Sequence, residues 1–326
     1  MDSRRRALGI AAAAFSSLAR PAPARGAYPD RPVRLVVAFP PGGPTDVVAR
    51  ILAEHMARDL GQPVVVENRG GANGNIAADA VAKASPDGHT VLYNTSSIAI
   101  SRALYRSLPY DVLGDLRPVA LTAASPLALV VHPSLPPRDP PGFIAWARAN
   151  SGRVSYSSGG VGNISHLLSF LVLRHIGAEA THVPYRGTAA ALTDTAAGNV
   201  QFTSDTVVTA LPVIQEGRVR AIAVSSAERT PLLPDVPSMA EAGMMPPGFE
   251  VGAWQGIMAP ARTPPEAVSR LNAAVRAALA DPEVAARLAA QGARPTGGSP
   301  GDYARYLREE VERWGRVVAE SGATAE

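Results

Sequence analysis

The chain has 326 residues, long enough for two cores, and its 46% hydrophobic content describes a globular protein, not a disordered or fibrous one. It has no cysteine, which excludes disulfides and thiolate metal sites. The formal charge is +3, and residues 1–24 carry all of it as four arginines against Asp2, so the remainder is neutral and carries no electrostatic footprint for nucleic acid.

Residues 1–24 read as a secretory signal. Arg4, Arg5 and Arg6 form a positive region, Ala7 to Ala19 is an apolar stretch, and Ala22-Pro23-Ala24 supplies a small-residue cleavage pattern. An apolar helix of that length covers about 20 Å, against roughly 30 Å for a bilayer core, so it predicts a cleaved leader and not a retained anchor. Ser3-Arg4-Arg5-Arg6-Ala7-Leu8 also resembles a twin-arginine export signal, with Ala7 departing from the usual Phe. Export is expected; the route is open.

The rest alternates strand-like and helix-like segments, the pattern of α/β domains. Val33 to Phe39 is a β-branched run that ends in Pro40-Pro41-Gly42-Gly43, and a helix follows with Val48, Ile51, Leu52 and Met56 on one face. Pro44 suits the first helical position, and Asp46 lies in the first turn. Strands are expected at Val64 to Val66 and Thr90 to Tyr93, the latter after a turn at Pro86-Asp87-Gly88. A second block has strands at Leu127 to Val131, Val154 to Tyr156, His182-Val183, Val200 to Phe202 and Val219 to Val224. Within it, Asn163 to His175 reads as a helix with Leu167, Leu168 and Leu171 inward. A Pro- and Gly-rich stretch runs to Phe249, then a strand at Val251 to Met258 and three helices starting near Pro264, Pro282 and Pro300.

Two strand–loop–helix junctions stand out. Phe39-Pro40-Pro41-Gly42-Gly43-Pro44-Thr45-Asp46 lets backbone approach a ligand closely, and the new helix aims unpaired N–H groups at the same spot. Such a terminus favours an anion, although an ordinary capped βα turn would look the same, and the Asp46 carboxylate could occupy the cap. Ser157-Ser158-Gly159-Gly160-Val161-Gly162-Asn163-Ile164-Ser165-His166 repeats the arrangement, with Asn163 as a good N-cap. Pro44 has no N–H, which leaves Gly43, Thr45 and Asp46 as expected donors in the first loop. Gly159, Gly160 and Gly162 are the expected donors in the second.

Enzymatic signatures are thin. Gly160-Val161-Gly162 is a near miss to the dinucleotide fingerprint, and no P-loop is present. A hydrolase nucleophile elbow needs G-x-S-x-G, which is expected to be absent. Ser165 and His166 are helix neighbours about 100° apart and cannot form a nucleophile–base pair. The other histidines are scattered and read as surface or capping residues, not metal ligands. Asp205 follows a strand end and reads alone as a helix cap, with a place in a cleft as the alternative. The charges from Arg308 to Arg313 read as a solvated helix face.

Taken in order, several motifs resemble the solute-binding receptors of tripartite tricarboxylate transporters, also called Bug receptors. They are Tyr28-Pro29-Asp30-Arg31-Pro32, the Phe39-to-Asp46 loop, Val66-Glu67-Asn68-Arg69-Gly70-Gly71-Ala72-Asn73-Gly74, His182-Val183-Pro184-Tyr185-Arg186-Gly187 and Trp254-Gln255-Gly256-Ile257-Met258-Ala259-Pro260. The resemblance covers essentially the whole chain after the leader. It implies an α/β, type II periplasmic-binding fold with two lobes, a ligand cleft between them and a hinge of two crossings. The crossings are expected near 122–126 and 224–226, which gives lobe 1 as 25–123 and 225–326 and lobe 2 as 124–224. It further implies a periplasmic receptor, a likeness extending to monomeric state, that takes a small carboxylate and meets membrane transporter subunits. A sensor feeding a membrane signalling partner would use the same binding chemistry. The implied ligand site comprises Phe39, Gly42, Gly43, Thr45 and Asp46; Thr95 and Ser96; Ser158, Gly159, Gly160, Asn163 and His166; and Asp205. No catalytic residue, metal or cofactor is implied. The second loop of such receptors usually has Ser or Thr where this chain has Asn163, so ligand preference does not transfer.

Overall fold

The structure, a computed structural model, describes residues 28–325; the expected leader and its cleavage site lie outside them. The chain begins β1 (Val33–Val37), α1 (Pro44–Leu60), β2 (Val64–Asn68), a single 3-10 turn (Ala72–Gly74), α2 (Asn75–Ala82), β3 (Thr90–Thr95) and α3 (Ser97–Leu104). It continues β4 (Leu116–Val131), α4 (Pro140–Ala149), β5 (Ser155–Ser158), α5 (Ile164–Ile176), β6 (Thr181–Pro184), α6 (Thr188–Ala196), β7 (Phe202–Thr206), α7 (Val207–Gln215) and β8 (Arg220–Val224). It closes with β9 (Gly252–Pro260), α8 (Pro265–Ala280), α9 (Pro282–Ala290), β10 (Arg294–Pro295) and α10 (Pro300–Ser321).

Local chemistry explains the boundaries. α1 buries Val48, Ile51, Leu52 and Met56 and stops at Gly61, whose left-handed backbone (φ 68°) lets its N–H close onto the Ala57 carbonyl. Proline opens α8, α9 and α10, and Asp281 and Ser299 cap the last two, Ser299 in a reciprocal box with Asp302.

The strands run in the order β2-β1-β3-β9-β4-β7-β5-β6, with β10 and β8 also on β4. β1, β2 and β3 are parallel, as are β5, β6 and β7, whereas β9 is antiparallel to both β3 and β4. Two lobes share β4, a strand of 16 residues. Its Leu116–Pro126 part pairs with β9, and from Leu127 it pairs with β7 and β8 instead. The change of partner falls at Pro126, which lacks an N–H to continue a ladder.

Ser225 fastens the return crossing. Its N–H reaches the Leu127 carbonyl at 2.8 Å, its hydroxyl accepts the Leu127 N–H at 2.8 Å and donates to the Val251 carbonyl, and its own carbonyl accepts the Val251 N–H at 3.0 Å. Residues 226–250 begin against the second sheet and reach first-lobe residues by Glu250, which pairs with Arg294, before the chain re-enters the first sheet at Gly252. Val224 exchanges backbone bonds with Pro237 and Met239, and Leu233 joins the core of Ala128, Val130 and Val224.

One surface expectation fails. Glu310 is buried on α10, where Oε2 accepts the indole N–H groups of Trp254 (2.8 Å) and Trp314 (2.9 Å) and Oε1 accepts from Arg313 (3.0 Å). Two indoles that must themselves be buried supply the reason, since each needs an acceptor.

Candidate functional site

A cleft of about 270 Å³ lies where the lobes face each other. The first lobe contributes Phe39, Pro44, Thr45, Asn73, Thr95, Ser96, Ser97 and Ile100. The second contributes Asn163, Ile164, Ser165, Thr188, Ala189, Asp205, Thr206 and Thr209. The crossing strands supply Ser125, Leu127, Ala253 and Gln255 as the floor.

The lining contains the first turns of α1, α3, α5, α6 and α7. Each helix start presents N–H groups without intrahelical partners and the positive end of its dipole. At α1, α6 and α7 no side chain caps those groups. In α1 the Val47 N–H already returns to the Gly43 carbonyl, which leaves Thr45 and Asp46 as donors. Among the described residues, no Lys, Arg or His lines the cleft, and Asp205 is the one ionisable side chain in it. Positive potential here comes from backbone, not from cations.

Of the residues expected from sequence, Phe39, Thr45, Thr95, Ser96, Asn163 and Asp205 line the cleft, and Gly42, Gly43, Asp46, Ser158, Gly159, Gly160 and His166 are not among its lining residues. Asp46 is buried and fully engaged. Oδ2 accepts the Gly42 N–H (2.9 Å) and Arg50 Nε (3.0 Å), and Oδ1 accepts Asn68 Nδ2 (2.8 Å). Burial pushes its carboxyl up, but the bonds from Arg50, Gly42 and Asn68 outweigh that and hold it below the usual range. It does not confront an anion unpaired.

The donors expected of the second loop need correction. The Gly159 N–H goes to Ser165 Oγ (3.0 Å), the Gly160 N–H to Ser158 Oγ (3.2 Å) and the Gly162 N–H to His166 Nδ1 (3.1 Å). Asn163 Oδ1 caps α5 through the Ser165 N–H (3.0 Å) and also accepts the Ser165 hydroxyl (2.8 Å). The loop is thus wired to itself. Its glycines serve packing: a Cβ on Gly159 would lie 2.7 Å from Thr188 Cγ2, and one on Gly162 would lie 2.3 Å from Leu104 Cδ2 of the other lobe.

His166 and His182 stack behind this loop with ring centroids 3.7 Å apart, and His182 Nε2 sits 2.6 Å from Ser158 Oγ. Burial lowers His166 to about 3, helped by His182, and lowers His182 to about 4. Both rings are therefore neutral near pH 7, which His166 requires in order to accept the Gly162 N–H.

Asp205 is the penultimate residue of β7 and is 2% exposed. Its Oδ1 accepts the Thr206 N–H at 2.7 Å, and its Oδ2 has no partner. Burial raises the carboxyl to about 7, against the lowering effects of the Thr206 N–H and nearby Thr188. Sequence reasoning missed Thr188 and Ala189 of α6 and Thr206 and Thr209 of α7. The first pair had a signal, because Tyr185-Arg186-Gly187 after β6 is another strand–glycine–helix junction.

Comparison with known proteins fits this architecture. Residues 48–323 match the model of the tripartite tricarboxylate transporter family receptor. Protein BugT of Bordetella pertussis is 40% identical, over 91% of this chain and 91% of BugT. Among solved structures, Rpa4515 of R. palustris, solved with adipate, superposes with a TM-score of 0.81 at 38% identity, covering 91% of this chain and 99% of that one. MatC (Rpa3494) of Rhodopseudomonas palustris, with bound malate, gives 0.76 at 39% identity, covering 89% of this chain and 100% of that one.

Proposed function

The chain belongs to the tripartite tricarboxylate transporter receptor family, and on that premise we propose that it is a periplasmic receptor that captures a small organic carboxylate between its lobes and carries out no catalysis. One observation carries the ligand class: uncapped starts of α1, α6 and α7 converge on a cleft that, among the described residues, has no cationic side chain. Backbone N–H groups at helix starts suit a carboxylate, and donors contributed by both lobes reward closure around it. The relatives solved with adipate and malate support the same class. The second lobe runs from 124 to 224 in this reading, with 226–250 as a strap on its surface. The receptor works as a monomer that hands its ligand to membrane subunits. Among the described residues no helix is long and apolar enough to cross a membrane.

The nucleophile-elbow spacing expected to be absent does occur once, but it does not revive an enzymatic reading. Gly297-Gly298-Ser299-Pro300-Gly301 has the pattern, but Ser299 is the N-cap of α10, with its hydroxyl donated to Asp302 at 2.7 Å. A hydroxyl held by a carboxylate in a capping box is a structural group.

The test is a thermal-shift panel of mono-, di- and tricarboxylates on the leader-free protein. At 100 times the dissociation constant a ligand adds about 2.7 kcal/mol, a shift of several degrees. At least one acid is expected to raise Tm while its amide or methyl ester does not. A flat response to every acid, or a shift caused by neutral sugars or amides, defeats the reading.

A further inference from the structure

The unpartnered oxygen of Asp205 is the least ordinary atom in the cleft. A buried carboxyl oxygen normally has a hydrogen-bond partner, and this one belongs to a residue that lines the cleft together with the uncapped starts of α1, α6 and α7. Building on the receptor reading, we propose that Asp205 shares one proton with a ligand carboxylate, Oδ2 to carboxylate oxygen, so that capture takes up a proton from solvent.

The surroundings supply no other means of holding two carboxyl groups together. α7 (Val207–Gln215) has no ionisable residue, nor does the Leu127–Val131 part of β4 beside β7, and β5 carries only Tyr156, whose phenol burial pushes up and keeps neutral. On α6 the one such residue is Asp194, which is engaged by the Tyr185 hydroxyl and Asn199 at the surface. α5 carries His166, whose Nδ1 is held by Gly162; Arg174, which pairs with Glu320; and His175. No charged side chain perturbs Asp205.

Two like charges in contact without a cation do not both persist, and one proton settles between them. Asp205 already sits near 7 through burial alone, and an entering carboxylate raises it further. A ligand ammonium would neutralise Asp205 as well, but the starts of five helices place their positive ends at the same cleft and disfavour a cation there. A protonated carboxyl, by contrast, adds one more donor to a donor-lined pocket.

Calorimetric titration of malate, adipate, succinate, citrate and aspartate into the leader-free protein, in phosphate and in Tris from pH 6.5 to 8.5, tests this. The acid that binds is expected to lose roughly five- to tenfold in affinity from pH 7.5 to 8.5, with close to one proton taken up at the higher pH. Asp205→Asn, which keeps a donor, is expected to bind that acid with a flat pH profile, and Asp205→Ala to bind it weakly at every pH. Circular dichroism and a urea melt confirm that each variant is folded. Binding with no linked proton in the wild-type protein overturns the proposal and leaves the receptor reading standing. So does a preference for aspartate combined with loss of binding in Asp205→Asn, which would mean an ionised Asp205 facing an ammonium. Failure of every acid at every pH overturns both readings.

Discussion

The two glycine loops look like copies of one device, yet they use their glycines differently. In the first lobe, Gly42 takes a left-handed backbone in open space, with nothing within 4 Å of a notional Cβ, and its N–H is tied down by Asp46. The start of α1 beyond it stays uncapped and faces the cleft. In the loop of the second lobe, Gly159, Gly160 and Gly162 all donate their N–H groups to side chains of that same loop. Gly162 instead opens room for Leu104 of the opposite lobe. The lesson is that a glycine next to a helix start does not by itself mean an exposed donor. What counts is whether the neighbouring Ser, Asn or His side chains have claimed the N–H first.

The sharpest break in this comparison is a matched pair of alanines. Gly162→Ala meets both a φ of +71° and a Cβ position 2.3 Å from Leu104, and is expected to cost about 4 kcal/mol. Gly42→Ala, at φ +81° with no neighbour, is expected to cost only about 1 kcal/mol. Urea melts measure both, and Leu104→Ala should recover part of the loss at Gly162 and none at Gly42. Equal losses at the two sites would remove the packing role given to Gly162.

Next in size is a pH effect confined to the second loop. His166 is depressed to about 3 in the folded chain against an unfolded value near 6.5. The stability it contributes is therefore complete above pH 6.5 and is lost as pH falls towards 3, because the unfolded chain binds the proton first. Between pH 6.5 and 4 the loss from this residue is roughly 3 kcal/mol. The difference in unfolding free energy between wild type and His166→Asn, followed over that range, isolates it from the carboxylates. A difference that stays constant with pH would contradict the neutral, N–H-accepting ring.

The smallest effect is at the cap. Asn163→Ala removes the acceptor for the Ser165 N–H and is expected to cost about 1 kcal/mol in a urea melt. It also frees the Ser165 hydroxyl from Asn163, so crystals of the variant should show Ser165 turned or the Gly159 N–H released. An unchanged melting curve would mean that the loop is held by its histidines and glycines without the cap.

The strands and the two junctions were legible because β-branched runs, proline-led helices and an Asn N-cap leave local marks. Val33 to Val37 and Pro44 to Leu60 fall where periodicity and capping place them. α6 and α7 were not read at all: Thr188–Ala196 has little amphipathic contrast, and Pro212 inside α7 argues locally against a helix. Their starts are two of the three uncapped helix starts at the cleft, so the site was the less legible part. Likewise Glu310 reads as solvated within a run of charges, and its burial depends on Trp254, 56 residues away. Local pattern cannot report a partner supplied by tertiary contact.

The placement of β9 has a consequence for how the molecule comes into being. In the first sheet β9 lies between β3 and β4, with Leu92 opposite Met258 and Leu116 opposite Pro260. Among the described residues, two strands made early thus share no backbone ladder with each other, only the Tyr93–Thr122 side-chain bond, and wait for a third made after the entire second lobe. Closing loops of that size before any pairing is rewarded is slow. A nascent chain can complete the parallel β1, β2 and β3 ladder and much of the second sheet, but its first sheet keeps an open edge at β3 until Pro260 has left the ribosome. During that interval the unpaired edge is a surface for chaperones or for aggregation, and the second half of the chain decides which.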